Sequence, residues 1–287
     1  MQRATRHPAL VWIASLAVLA AVYTLVSTRL SRPDLLPTPS AIAGTFTALL
    51  TRAPALAIED PEAHDRMHHS SEQVAALVRE GVTLPRSLLI TIGRVLFGLV
   101  VGVPLGILIG VLLGWSRRAD DYLHPLYVLI RSVPPLSLIT YIMLWLGHSE
   151  AHRLIPIVYA VAVTMVIPTY HGVRDVAAKY VVAARSLGAR GKLLVRRVLL
   201  PAAGPAVLGG LRYAIAIACM TAVGAEMLMA ENGMGNLIVG GGMWASRLQT
   251  QSDPAVIFVG VIALAAMGWA MDAAARAATA RLTRWVR

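Results

Sequence analysis

The sequence predicts an all-α polytopic membrane protein with six transmembrane helices, and three observations carry that expectation. Of its 287 residues, 57% are hydrophobic and only 14% are charged, too few to cover the surface of a soluble domain. The apolar residues gather into runs at 8–27, 88–114, 123–146, 154–170, 206–229 and 254–271, lengths suited to a hydrocarbon core of about 30 Å. The formal net charge of +11 comes from basic residues placed between these runs rather than along one amphipathic face. That distribution suits membrane topology and argues against a nucleic-acid surface.

The N-terminal MQRATRH is short and basic and leads into the run 8–27. A secretory leader begins in the same way, but this run is long for one and no small-x-small cleavage site follows. An uncleaved first helix is expected. Residues 28–85 are polar and, with that helix, make up the first unit, 1–85. Here Pro37 and Pro39 break the chain, and Ser40 is placed to cap a short helix lying on the membrane surface. The histidine-rich stretch 58–72 follows. In it His64 and His68, and likewise Asp65 and His69, are four apart and share a helical face. Such a pair can bind metal but is more often solvated surface, and no metal site is assigned.

The core, 86–275, opens with a periodic signal. Gly98, Gly102, Gly106, Gly110 and Gly114 recur every four residues in the second run and nearly line up on a helix. They leave a smooth strip where another backbone can approach closely, so the first four are read as helix-packing positions, with Pro104 as a kink. The loop 115–121 carries Arg117 and Arg118. Arg131 and Pro134-Pro135 interrupt the third run. An arginine inside a membrane must face protein or water or snorkel to the interface, and both readings stay open for Arg131. The fourth run ends in IPTYHG. The fifth holds Arg212 and Glu226, the one acid placed within a span, and Cys219, read as a small packing residue. The sixth leads through Asp272 into a basic tail, 276–287.

Between the fourth and fifth runs lies the longest polar interruption of the second half, 172–205. It carries seven basic residues (Arg174, Lys179, Arg185, Arg190, Lys192, Arg196 and Arg197) against Asp175. Ala177, Tyr180, Val181, Ala184 and Leu187 recur at three and four, which makes a short helix with one apolar face. Gly188 permits a break, and Leu200-Pro201 marks entry to the next run. A basic loop holding an amphipathic helix between two spans suits docking of a soluble partner.

These residues resemble the EAA loop of permease subunits of binding-protein-dependent ABC importers. Ala183 and Ala184 match the two alanines, Gly188 the glycine and Leu200-Pro201 the closing pair. Arg185, Ser186, Leu187 and Ala189 complete the matching string. Val182 stands where the motif usually has glutamate, so an ion pair from that position is not carried over. LIRSVPPLSLITYIMLWLG is similar to the family's LR-x-(I/V)-P segment. GGLRYAI and AEMLMAENGMGNLI look like elements of its nitrate, sulfonate and taurine branch. The resemblance covers about Leu36 to the C-terminus and is strongest from Gly172 to Ile238.

What it implies is a type I ABC importer permease fold. The loop 173–203 would be the coupling segment for a cytoplasmic ATPase, and Arg131, Pro134, Arg212 and Glu226 candidates for the translocation path or gating. It further implies ATPase subunits that bind ATP and Mg themselves, a substrate-binding protein outside, and a permease homodimer in the cell's inner membrane. The solute would be a small anion such as a sulfonate, taurine or nitrate. Glu226 is also readable, and more readily, as a structural carboxylate near the outer interface, paired with an arginine or backbone donors.

Orientation follows from the Lys and Arg distribution. The N-terminus, the 115–121 loop, the 172–205 loop and the C-terminal tail are basic and are placed inside, so both termini are cytoplasmic. Reactive motifs are missing from the sequence: it has no GxxxxGK[ST], GxSxG, HExxH or CxxC. The chain is therefore expected to be a transport subunit without a catalytic site or cofactor of its own. The competing reading, an ion-coupled secondary transporter, would call for carboxylates in several spans and two related halves.

Overall fold

The computed structural model describes residues 15, 17–18, 20–27, 37–51, 83–147, 149–176, 178–228, 232–239 and 254–282. All its regular structure is helical. After a helical stretch at 20–27 come α1 (Pro39–Thr51), α2 (Leu84–Trp115), α3 (Arg117–Arg131), α4 (Pro135–Leu146), α5 (Glu150–Arg174), α6 (Ala178–Ser186) and α7 (Gly191–Leu194). A π turn at Val195–Leu199 then leads into α8 (Leu200–Met227), α9 (Met234–Ile238) and α10 (Pro254–Leu282). Among the described residues four helical segments are long and apolar enough to cross a membrane: α2, α5, Val195–Met227 and the last helix. Of the expected first span, 8–27, the described residues from 15 onward are helical; the histidine-rich stretch 58–72 lies outside the described residues.

The third expected span is not one rod. Its two helices, α3 and α4, meet at 84°. The residue before a proline is driven out of the α region, and Pro134-Pro135 ends one helix and starts the next. Tyr159 of α5 reaches this corner, with its hydroxyl against the carbonyls of Ile130 and Val133.

The bundle centres on α2, α5 and α8. The glycine strip of α2 lies on α5, and the partner positions there also recur every four residues. A Cβ at Gly98 would strike the Ile157 side chain; at Gly102 it would meet Val161, at Gly106 Met165, at Gly110 Thr169 and at Gly114 Val173. Rows of period four on both helices interdigitate, so side chains of α5 fill the places that α2 leaves empty. Val95, Leu99, Ile157, Val161, Met165, Ala214, Ile215, Ala218 and Ala222 close this core. A second core joins α1, the start of α2, α9 and α10 through Leu49, Leu84, Met234, Leu237, Val256 and Val259. The last helix continues through the expected basic tail as far as Leu282. Outward faces of the long helices carry exposed Leu89, Val100, Leu108, Met220, Val261 and Trp269, as lipid contact requires.

Candidate functional site

Two polar regions lie at opposite ends of the bundle. The first is the 172–205 loop. Here α6 ends in a Schellman cap: Gly188 has φ +84°, its N–H donates to the Arg185 carbonyl at 3.0 Å, and the Ala189 N–H donates to the Ala184 carbonyl at 2.9 Å. No heavy atom lies within 4 Å of where a Gly188 Cβ would be, so what glycine supplies is the left-handed backbone and not space. Val181 packs into a small core with Val173, Leu199 and Ala203. Leu187 is 89% exposed and Val182 62% exposed. Thus the expected apolar face is only partly covered by the chain itself. The position usually held by glutamate in the resembled motif presents a bare isopropyl group to solvent.

Beyond Gly191 the helix runs on through the π turn and Leu200-Pro201 into α8. Pro201 supplies no N–H, and its ring would crowd the carbonyl four residues back. The π turn widens the helix just before it, with the Leu200 N–H donating to the Val195 carbonyl. Between this helix start and the end of α2 is a shallow depression of about 350 Å³ lined by Trp115, Arg185, Arg190, Gly191 and Leu194.

The second region is an ionic node built on Arg94, which is 5% exposed. All five of its N–H donors are used. Nε and Nη2 hold the Glu150 carboxylate at 3.1 and 2.9 Å. Nη1 donates to Glu226 Oε1 at 2.7 Å and to the Asn232 carbonyl at 3.1 Å, and Nη2 also to Asn232 Oδ1 at 2.5 Å. Glu226, with no exposed side-chain surface, further accepts the Gly235 N–H at 3.0 Å, and the Thr91 hydroxyl stands 2.9 and 2.8 Å from its two oxygens. That hydroxyl oxygen accepts the Met234 N–H at 2.9 Å. Arg153 Nη1 completes the node at 2.6 Å from Glu150. Two cations and two carboxylates balance, and all five Arg94 donors have acceptors, the condition under which a buried charge is tolerated, whereas Arg153 Nε is buried without a partner among the described residues.

The node ties α2, the first turn of α5, the end of α8 and the turn before α9 together. It also gives the Gly233 and Gly235 spacing a physical reason. A Cβ at Gly233 would collide with the Glu226 carboxylate, and one at Gly235 would lie 2.6 Å from the Glu226 Cβ.

The structure does not bring the candidate path residues together. Glu226 is in the node. Arg212, halfway along α8, is paired with Asp272 of α10, Nε to Oδ1 at 2.9 Å, and Asp272 also meets Arg276. Arg131 is the exposed last residue of α3, and Pro134 begins the corner into α4. Arg94 falls within the apolar run 88–114 and Glu226 within 206–229, but no motif in the sequence pairs them or marks Thr91, Glu150, Arg153 and Asn232 as their partners. The usable signal was an arginine and an acid both placed within apolar runs, which must find each other. Among the described residues no group of three or more His, Cys, Asp or Glu could hold a metal ion.

Residues 102–284 match the family described as binding-protein-dependent transport system inner membrane component. The chain is 34% identical over 214 residues to a probable ABC transporter permease protein of Brucella melitensis, covering 75% of this chain and 84% of that one. It is 29% identical over 274 residues to the taurine transport system permease protein TauC of Escherichia coli, covering 95% and 88%. The inward-facing MetNI methionine ABC transporter aligns with a TM-score of 0.55 at 19% identity, over 69% of this chain and 93% of that chain. At that identity the likeness concerns the fold alone.

Proposed function

The chain belongs to the binding-protein-dependent transport system inner membrane components and is a transport permease of the sulfonate and taurine type; on that footing we propose that it moves a small oxyanion inward by alternating access driven by a partner ATPase. The ATPase docks on 173–203, and ATP and Mg belong to it. The observation that carries this reading is α6: a Schellman-capped helix whose exposed Val182 and Leu187 leave an apolar surface on a basic loop. Such a surface suits burial under another protein, with the surrounding arginines at the rim.

The rest of the assembly follows from this reading. The basic loop and both termini face the cytoplasm, the ionic node lies toward the outer side of the cell's inner membrane, and a substrate-binding protein delivers the solute there. Two copies of the chain make the pathway. The class of solute is a sulfonate or similar small anion, in keeping with the taurine system among the relatives.

The test is co-purification of the tagged chain from its native membrane with its partners identified. Recovery of an ATPase in equal amount, lost when Gly188 is replaced by valine, is the expected result. A chain recovered alone, with uptake driven by an ion gradient, would overturn it.

A further inference from the structure

The two carboxylates of the ionic node are held in different ways. Glu226 has no exposed side-chain surface and is fixed by Arg94, Thr91 and the Gly235 N–H. Glu150 is 54% exposed, sits on the first residue of α5, and is held by side chains, those of Arg94 and Arg153. Rotation of Glu150 away from the node requires no helix to move. It would uncover the Nε and Nη2 edge of Arg94 and the Nη1 of Arg153, two cations whose side chains are only 5% and 6% exposed.

That edge is specific in shape. The guanidinium fork binds two oxygens of one group side by side, a geometry met by carboxylate, sulfonate and other oxyanions. A tetrahedral sulfonate has a third oxygen for Arg153. The start of a long helix also favours an anion.

We propose that Glu150 is an exchangeable stand-in for the transported oxyanion, and that Arg94 and Arg153 form a transient sulfonate site at the end of the bundle where α5 begins. This deepens the importer reading and rests on it. Charge supports the exchange. With Glu150 in place, two arginines face two carboxylates; with Glu150 swung out, one monoanion restores the same balance beside Glu226. Competition from a tethered carboxylate keeps the site weak, which a pathway needs if its solute is to leave. Glu226 is then the permanent counter-ion, and it holds Arg94 in place while Glu150 comes and goes.

The experiment uses the permease–ATPase complex in nanodiscs and measures binding of radiolabelled methanesulfonate by scintillation proximity. If the open arrangement is populated about one part in ten, Glu150→Ala tightens binding about tenfold by removing the competitor. Arg153→Gln, which leaves the Arg94–Glu226 pair intact, abolishes the binding, and methylammonium does not compete. Unchanged or weaker binding in a Glu150→Ala complex that still assembles and hydrolyses ATP overturns the site and leaves the importer reading standing. If Glu150→Ala does not assemble, Glu150→Gln takes its place with a smaller gain expected. Failure of both to assemble makes Glu150 a structural counter-ion and likewise overturns the site. A wild-type chain that associates with no ATPase overturns the importer reading instead.

Discussion

A Cβ added at Gly102 of α2 would stand 2.7 Å from the Cβ of Val161 on α5 and 2.8 Å from the Val158 carbonyl oxygen, closer than packed atoms approach. Replacement by valine must therefore push the two helices apart along a seam repeated at Gly98, Gly106 and Gly110. The expected cost is about 1–3 kcal/mol or more, seen as a lowered melting temperature in detergent. Gly93→Ala, on the same helix but with nothing within 4 Å of its Cβ position, should melt like the parent. Equal melting of Gly102→Val and parent would mean that the seam is not tightly packed.

Glu226 offers a contrast between shape and charge. Glu226→Ala leaves the Arg94 guanidinium buried without its fixed counter-ion, and removing one partner of a buried pair costs about 3–5 kcal/mol. Glu226→Gln keeps an acceptor for the Thr91 hydroxyl and the Gly235 N–H and should lose less. Thermal melts in detergent rank the three proteins, and an order other than parent, Gln, Ala would refute a structural charge at this position.

At Gly188 the requirement is conformational. A non-glycine residue in the left-handed region costs about 1–2 kcal/mol, and asparagine tolerates it better than a β-branched residue. Gly188→Val should undo the cap of α6 and reduce ATPase recovery, while Gly188→Asn retains most of it. Insertion and melting of the spans should be unaffected in both. Leu187→Glu should weaken ATPase recovery with the cap intact. If Leu187→Glu retains full recovery, the exposed edge is not the contact.

Arg212 and Asp272 join α8 to α10 at an exposed position. Because Arg212 lies halfway along a membrane-spanning helix, neutralising Asp272 leaves the arginine's charge uncompensated and should lower the melting temperature. If the pair matters to transport, uptake falls in each single variant and recovers in the charge-swapped double variant Arg212→Asp with Asp272→Arg. Independent losses in the double-mutant cycle would show that the two residues act separately.

How much of this was legible in the sequence differs by residue and for physical reasons. The glycine strip could be read because a small residue every four positions is rare by chance. Its partner could not, because Ile157, Val161, Met165, Thr169 and Val173 are ordinary span residues whose common spacing has meaning only once α2 is laid on them. Pro134-Pro135 announced a break in the third run, whereas the 84° angle depends on what the corner packs against, including Tyr159. Glu150 was hidden because it precedes the apolar run at 154–170, although the helix begins there. The π turn before Pro201 had no sequence signal beyond the proline itself.

One uninterrupted helical path leads from Gly191, beside the capped α6, through the π turn and α8 to Met227, next to Glu226. At about 1.5 Å per residue it is roughly 55 Å long. Near its middle Gly210 is pressed against the Pro168 ring of α5. The wide turn before Pro201 lies between Gly191 and that packed middle, so it is the joint at which a displacement beside Gly191 is taken up before it reaches the far half of the rod.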